Sequence, residues 1–128
     1  MKIFILFISL IFASCASTEP VVKPDGNYKG TLSLKDDCTD CIQFLTMEVN
    51  LQSNEDIVVG DGSYQSSDYT MPISGYLVND SIYFQFYDTI GGLTKAKGKV
   101  NKYDITGTFT YNFTHLNRYG NFTLSKLK

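Results

Sequence analysis

The chain has 128 residues, 43% of them hydrophobic and 19% charged, with a formal net charge of −2. That length suits one domain with one core, and that apolar content excludes a wholly disordered chain. No basic stripe with interleaved stacking aromatics falls in a known motif, so nucleic-acid binding is set aside.

Lys2 is the only charge in residues 1–18, and Ile3 to Phe12 is apolar apart from Ser9. A bilayer span needs ~20 such residues, so this run is too short to cross but suits a signal-peptide core. Ala13 and Ser14 then precede Cys15. The segment resembles a bacterial lipobox, where a dedicated peptidase cuts before a cysteine that already carries diacylglycerol. Phe12 stands where lipoboxes usually have Leu. The resemblance implies that residues 1–14 are removed and that Cys15 is lipidated. The acyl chains then anchor the protein to a membrane of the cell envelope, the outer membrane being favoured. An ordinary secretory signal cut after Ala16 is the competing reading. Loss of residues 1–14 removes Lys2 and moves the formal charge from −2 to −3.

Residues 15–25 follow as a tether. Pro20, Pro24 and small polar side chains argue against packed structure there, and the stretch could reach ~35 Å when extended. The remaining residues, 26–128, alternate apolar and polar side chains almost throughout. Strands are predicted near 26–34, 41–52, 56–65, 71–78, 81–88, 94–100, 103–113 and 119–127. Leu45, Met47, Val49 and Leu51 mark one face of the second, and Ile82, Phe84 and Phe86 one face of the fifth. Asn, Asp, Ser and Gly clusters fall between the runs, where turns need them. Short links make neighbours antiparallel, so the expected fold is an all-β, eight-stranded up-and-down barrel of lipocalin-like type. A two-sheet β-sandwich is the alternative. Inward candidates are Tyr28, Phe44 or Leu45, Ile73, Phe84, Phe86, Phe109, Tyr111 and Phe122. Tyr64, Tyr69, Tyr76 and Tyr83 are expected to face outward as possible protein contacts.

Cys38 and Cys41 lie between the first two predicted strands and are the only cysteines left once Cys15 is acylated. A structural disulfide is favoured in an oxidising compartment. A metal site for copper or zinc is the second reading, since thiolates are soft ligands. A closed zinc site needs four ligands, and this chain has no other Cys pair and one His, His115. A redox-active dithiol is the third, opposed by Asp36, Asp37 and Asp40, which should raise the thiol pKa.

Charge is uneven along the chain. Three Lys and twelve acids occupy residues 15–88, while seven Lys or Arg and one acid occupy residues 89–128. Lys95, Lys97 and Lys99 alternate on the sixth strand and so share a face. Solvated Lys is the ordinary pattern on an outward strand face, with an anionic ligand or a lipid headgroup as the functional alternative. No nucleophile–base pair can be named, so the chain is not expected to be an enzyme, and no motif asks for a cofactor.

Gly26-Asn27-Tyr28-Lys29-Gly30-Thr31-Leu32, followed by Cys38-Thr39-Asp40-Cys41 and an alternating strand, resembles the N-terminal barrel of NlpE-type lipoproteins. That resemblance implies an outer-membrane lipoprotein with a lipocalin-like barrel, linked to copper handling and envelope-stress sensing. The family's Pro beside the first cysteine and Gly beyond the second are absent here. By analogy with true lipocalins, whose first strand carries Gly-x-Trp, Arg118 would cover Tyr28 at the barrel base. The function expected is a membrane-anchored binding or sensing barrel whose ligand the sequence does not identify, a small apolar ligand or an envelope protein being the candidate partners. Alternatives are metal or stress sensing through Cys38 and Cys41, and an envelope protein-interaction module.

Mass spectrometry of residues 17–128 purified from a periplasm tests the cysteines. A structural disulfide predicts a mass two hydrogens light and no Cu(I) or Zn(II) held after reduction. One metal retained by reduced protein, and lost in the double Cys38→Ser, Cys41→Ser variant, would establish the metal reading instead.

Overall fold

Alternation along a chain can be satisfied by an open sheet, a sandwich or a barrel, and here it is satisfied by closure. The computed structural model describes residues 22–35, 42–65 and 67–128. Eight strands are formed: β1 Gly26–Lys35, β2 Ile42–Asn54, β3 Ile57–Tyr64, β4 Met71–Val78, β5 Ser81–Tyr87, β6 Leu93–Val100, β7 Asp104–Phe113 and β8 Leu116–Lys126. Each pairs antiparallel with the next, and β8 returns to pair with β1 from Tyr28↔Lys126 to Lys35↔Tyr119. The barrel is therefore closed, and the sandwich alternative is excluded.

One residue in two faces inward along each strand. Met47, Val49 and Leu51 do so on β2, Ile82, Phe84 and Phe86 on β5, and Ile105 and Phe109 on β7, all buried in a single core. Predicted inward residues Tyr28, Ile73 and Phe122 are buried there too. Gly98 faces Gly107 across β6 and β7. A Cβ at Gly107 would sit 2.0 Å from the Lys97 carbonyl oxygen, so no larger residue allows that approach.

The barrel has two unlike ends. The base carries residues 22–25, the C-terminus and the β2–β3, β4–β5 and β6–β7 turns. The mouth carries the other four connections. Tyr28 plugs the base, its hydroxyl donating to the Pro24 carbonyl at 2.8 Å. Asp25 locks the start of β1 to β2, accepting from the Ser53 backbone N–H and hydroxyl, both at 2.7 Å. Burial pushes the Asp25 carboxyl pKa up, but the two Ser53 hydrogen bonds, a bond from its own backbone and the Lys23 charge together hold the group below its ordinary value.

Four sequence expectations are corrected. Phe44 is 69% exposed because it faces outward, and Leu45 is 37% exposed because its place on β2 lies near the mouth, beyond Met47. Tyr64, expected outside, packs against the core. Its strand places apolar residues on both faces, so alternation did not distinguish them. Tyr83 is only half-buried, leaving Tyr69 and Tyr76 as the exposed members of that group. Arg118 pairs with Tyr111 near the mouth, whereas Tyr28 pairs with Lys126 at the base, so Arg118 does not cover Tyr28.

Leu51 and Val59 test the inward assignment. Leu51→Ala, at a fully buried position, should cost ~2–5 kcal/mol in urea unfolding. Val59→Ala, on the outer face, should change stability by less than ~0.5 kcal/mol.

Candidate functional site

The candidate site is the mouth, because polar side chains turn inward there above a filled barrel. The central void is lined by Leu32, Met47, Phe84, Phe109, Phe122 and their neighbours and measures about 10 Å³. That is room for about one water, so a ligand cannot be taken into this void without repacking the core. Phe86, Met71 and Leu34 form buried apolar ground at the mouth end of their strands.

Asp88 organises the polar layer. It ends β5, and its Oδ1 accepts from the backbone N–H groups of Ile90 at 3.1 Å and Gly92 at 2.7 Å. These bonds close the β5–β6 connection in the manner of an Asx turn. Its Oδ2 accepts from the Tyr111 hydroxyl at 2.6 Å, tying that connection to β7. The phenol lies so close to Gly92 that a Cβ there would be 2.1 Å from the Tyr111 hydroxyl oxygen. Burial, reinforced by the Asp88 hydrogen bond and charge, pushes the Tyr111 pKa up to about 12, against a smaller opposing effect of Arg118.

Tyr64 and Thr94 continue the layer. Thr94, 2% exposed, is the only buried polar residue among those described. Its side chain hydrogen-bonds Tyr64, whose ring meets Phe86 edge-on at 6.4 Å between centroids. Burial is the main reason that the Tyr64 pKa is raised; the Thr94 hydrogen bond opposes the shift and the Asp88 charge adds to it. Arg118 lies across from Tyr111, and its Nη1 donates to Gln43 Oε1 at 3.3 Å. A carboxylate, two phenols and a guanidinium thus share one end of the barrel above the buried Thr94, groups able to orient a ligand by hydrogen bonding.

Cys15, Cys38 and Cys41 lie outside the described residues. The strand ends joined by the Cys38–Cys41 segment, Lys35 and Ile42, are paired at the mouth end. His115 sits exposed in the β7–β8 turn. Among the described residues, no three His, Cys, Asp or Glu side chains come together as a metal site. No described helix is long and apolar enough to cross a membrane. Sequence reasoning included Tyr111 as an inward residue but not Tyr64, Asp88 or Thr94 as its companions. Its available signals were a polar Thr94 in the inward series Thr94, Ala96, Gly98, Val100, and Asp88 placed just ahead of Gly91-Gly92.

No protein-family model matches the sequence, and no curated protein matches it either. The structure is similar to that of bradavidin2 in its complex with biotin. The TM-score is 0.61 at 13% sequence identity, over 83% of this chain and 100% of that one. At that identity the likeness establishes a shared barrel fold.

The Asp88–Tyr111 bond should be visible in a spectrophotometric tyrosine titration. One phenol of the folded protein should ionise last, near pH 12, and be absent from Tyr111→Phe. Because the folded pKa exceeds the ordinary value of 10.0, this group's stabilisation is complete below pH 10 and falls away as pH rises toward 12. Asp88→Asn should shift the late phenol to lower pH.

Proposed function

We propose that this chain is a bacterial envelope lipoprotein, held to a membrane by acyl chains on Cys15, whose barrel binds a small ligand at its mouth. The observation that carries the binding reading is the Asp88–Tyr111 cluster, a set of inward polar groups gathered at one end of an otherwise apolar barrel. Inward polar groups cost folding free energy unless hydrogen-bonded. Four of those here are hydrogen-bonded in two pairs, Asp88 with Tyr111 and Thr94 with Tyr64, at an opening. A ligand of matching chemistry would set its apolar body against the exposed Leu45 at the rim and its polar end toward Tyr64, Asp88, Tyr111 and Arg118. The filled interior makes this a shallow site. Bradavidin2, a barrel of the same fold, is in complex with biotin, so small-ligand binding is compatible with the architecture.

Binding rather than catalysis is proposed because burial and the Asp88 hydrogen bond keep the Tyr111 phenol protonated, its pKa pushed up to about 12, and so a poor nucleophile. The lipid anchor rests on the Lys2-to-Cys15 pattern, and the kinship proposed is with NlpE-type lipoproteins through the β1 segment and the Cys38/Cys41 pair. Two or three acyl chains give stable anchoring, since each buried CH₂ contributes ~0.8 kcal/mol.

Two experiments test the two halves of this reading. Cys15→Ala should leave an unlipidated protein in the soluble fraction, whereas continued firm membrane association would place the anchor elsewhere. Nuclear magnetic resonance screening with small amphipathic fragments, biotin among them, should shift resonances of Tyr64, Asp88, Thr94, Tyr111 and Arg118. Shifts confined to the outer wall would move the site off the mouth.

A further inference from the structure

The uneven charge of the sequence becomes a spatial division once the barrel closes. Register sets Lys95 beside Thr110 and Tyr119, Lys97 beside Thr108 and Asn121, and Lys99 beside Thr106 and Thr123. The β1–β8 pairing then adds Lys35 next to Tyr119 and Lys29 next to Ser125. The outer face of β6, β7, β8 and β1 is therefore a field of hydroxyl and amide groups bordered on both sides by exposed lysines. Among the described residues of these four strands the one outward acid is Asp104, at the base end of β7, which accepts from Asn101 at 2.8 Å. Lys99 also lies 3.8 Å from Asp80, with both side chains more than half exposed, and such a pair cancels little of the field. Glu48, outward on β2, stands directly across from Lys29 and borders this face, and Asp61 stands outward on β3.

We propose that this lysine face docks on an anionic lipid surface. The choice of a bilayer as occupant rests on the lipid-anchor reading, and three observations support it. Cations on two strands, β6 and β1, set apart by β7 and β8, match a plane of negative headgroups better than a compact anion. Residues 22–25, which lead toward Cys15, enter β1, a flanking strand of this face, at the base, where Tyr28 donates to the Pro24 carbonyl and Asp25 accepts from Ser53 of β2. Tyr119 within the face and Tyr103 at its base end are 57% and 70% exposed, in keeping with the preference of tyrosine for the headgroup region. The anchor would supply proximity and the lysines orientation: the barrel lies on its side, leaving the mouth open to the aqueous phase.

The test uses residues 16–128, which contain all eight strands and the whole described core, in sedimentation with vesicles. Binding to mixed phosphatidylglycerol–phosphatidylcholine vesicles is expected, with little to pure phosphatidylcholine and a marked loss at high salt. Each Lys→Gln change at Lys95, Lys97 or Lys99 should lower partitioning about fivefold, the equivalent of ~1 kcal/mol, and the triple variant about a hundredfold. Equal binding to both vesicle types overturns the proposal, as does an unaffected triple variant. So does retention on an anionic polysaccharide without vesicle binding. This assay contains no acyl chain, so its failure is distinct from a failure of the Cys15 fractionation.

Discussion

The pairing of β1 with β8 is the interaction on which the rest of the structure depends. It removes both sheet edges, which would otherwise offer unpaired backbone groups to other chains. It also turns alternation into enclosure, so that every second residue of eight strands faces one shared interior. The glycine-lined approach of β6 to β7 serves the same end, since a Cβ at Gly98 or Gly107 would collide with the backbone of the neighbouring strand.

Closure leaves two ends to be finished, and the chain finishes them differently. At the base, Tyr28 and Asp25 direct their polar atoms to Pro24 and Ser53, and the core ends in satisfied hydrogen bonds. At the mouth, Asp88 satisfies the β5–β6 connection and Tyr111 together, and Thr94 hydrogen-bonds Tyr64 just above the aromatic floor. The first arrangement is a plug. The second keeps several donors and acceptors at an opening, and so it is the better candidate for recognition. Barrels of this strand number are often filled by their own side chains, and this one is. That filling is what moves the proposed ligand from the interior to the rim.

The proposed lipid anchor, mouth and lysine face are mutually consistent in placement. The chain leaves the base toward Cys15, the lysines occupy the side wall above that exit, and the polar cluster sits at the far end. A barrel held by its base and side would present its mouth away from the membrane. Surface charge acts here as an orienting influence, since exposed lysines contribute little to folding and more to encounter with an opposite charge.

Strand positions were legible in the sequence because the two-residue period is a property of the local backbone. Met47-Val49-Leu51 and Ile82-Phe84-Phe86 announce their faces without reference to any other strand, and the turn residues between them mark where pairing must stop. The lipobox-like segment and the Cys38/Cys41 pair are also matters of sequence alone. Position along the barrel axis was not legible. Leu45 has the correct parity but lies too near the mouth to be covered, and Tyr64 follows a run with apolar residues on both faces. Nor could the sequence join Asp88 to Tyr111 or place Arg118 at the mouth rather than over Tyr28. Facing is decided between adjacent residues. Depth and partnership depend on the stagger of strands around a closed wall, and that stagger exists only once β8 has met β1.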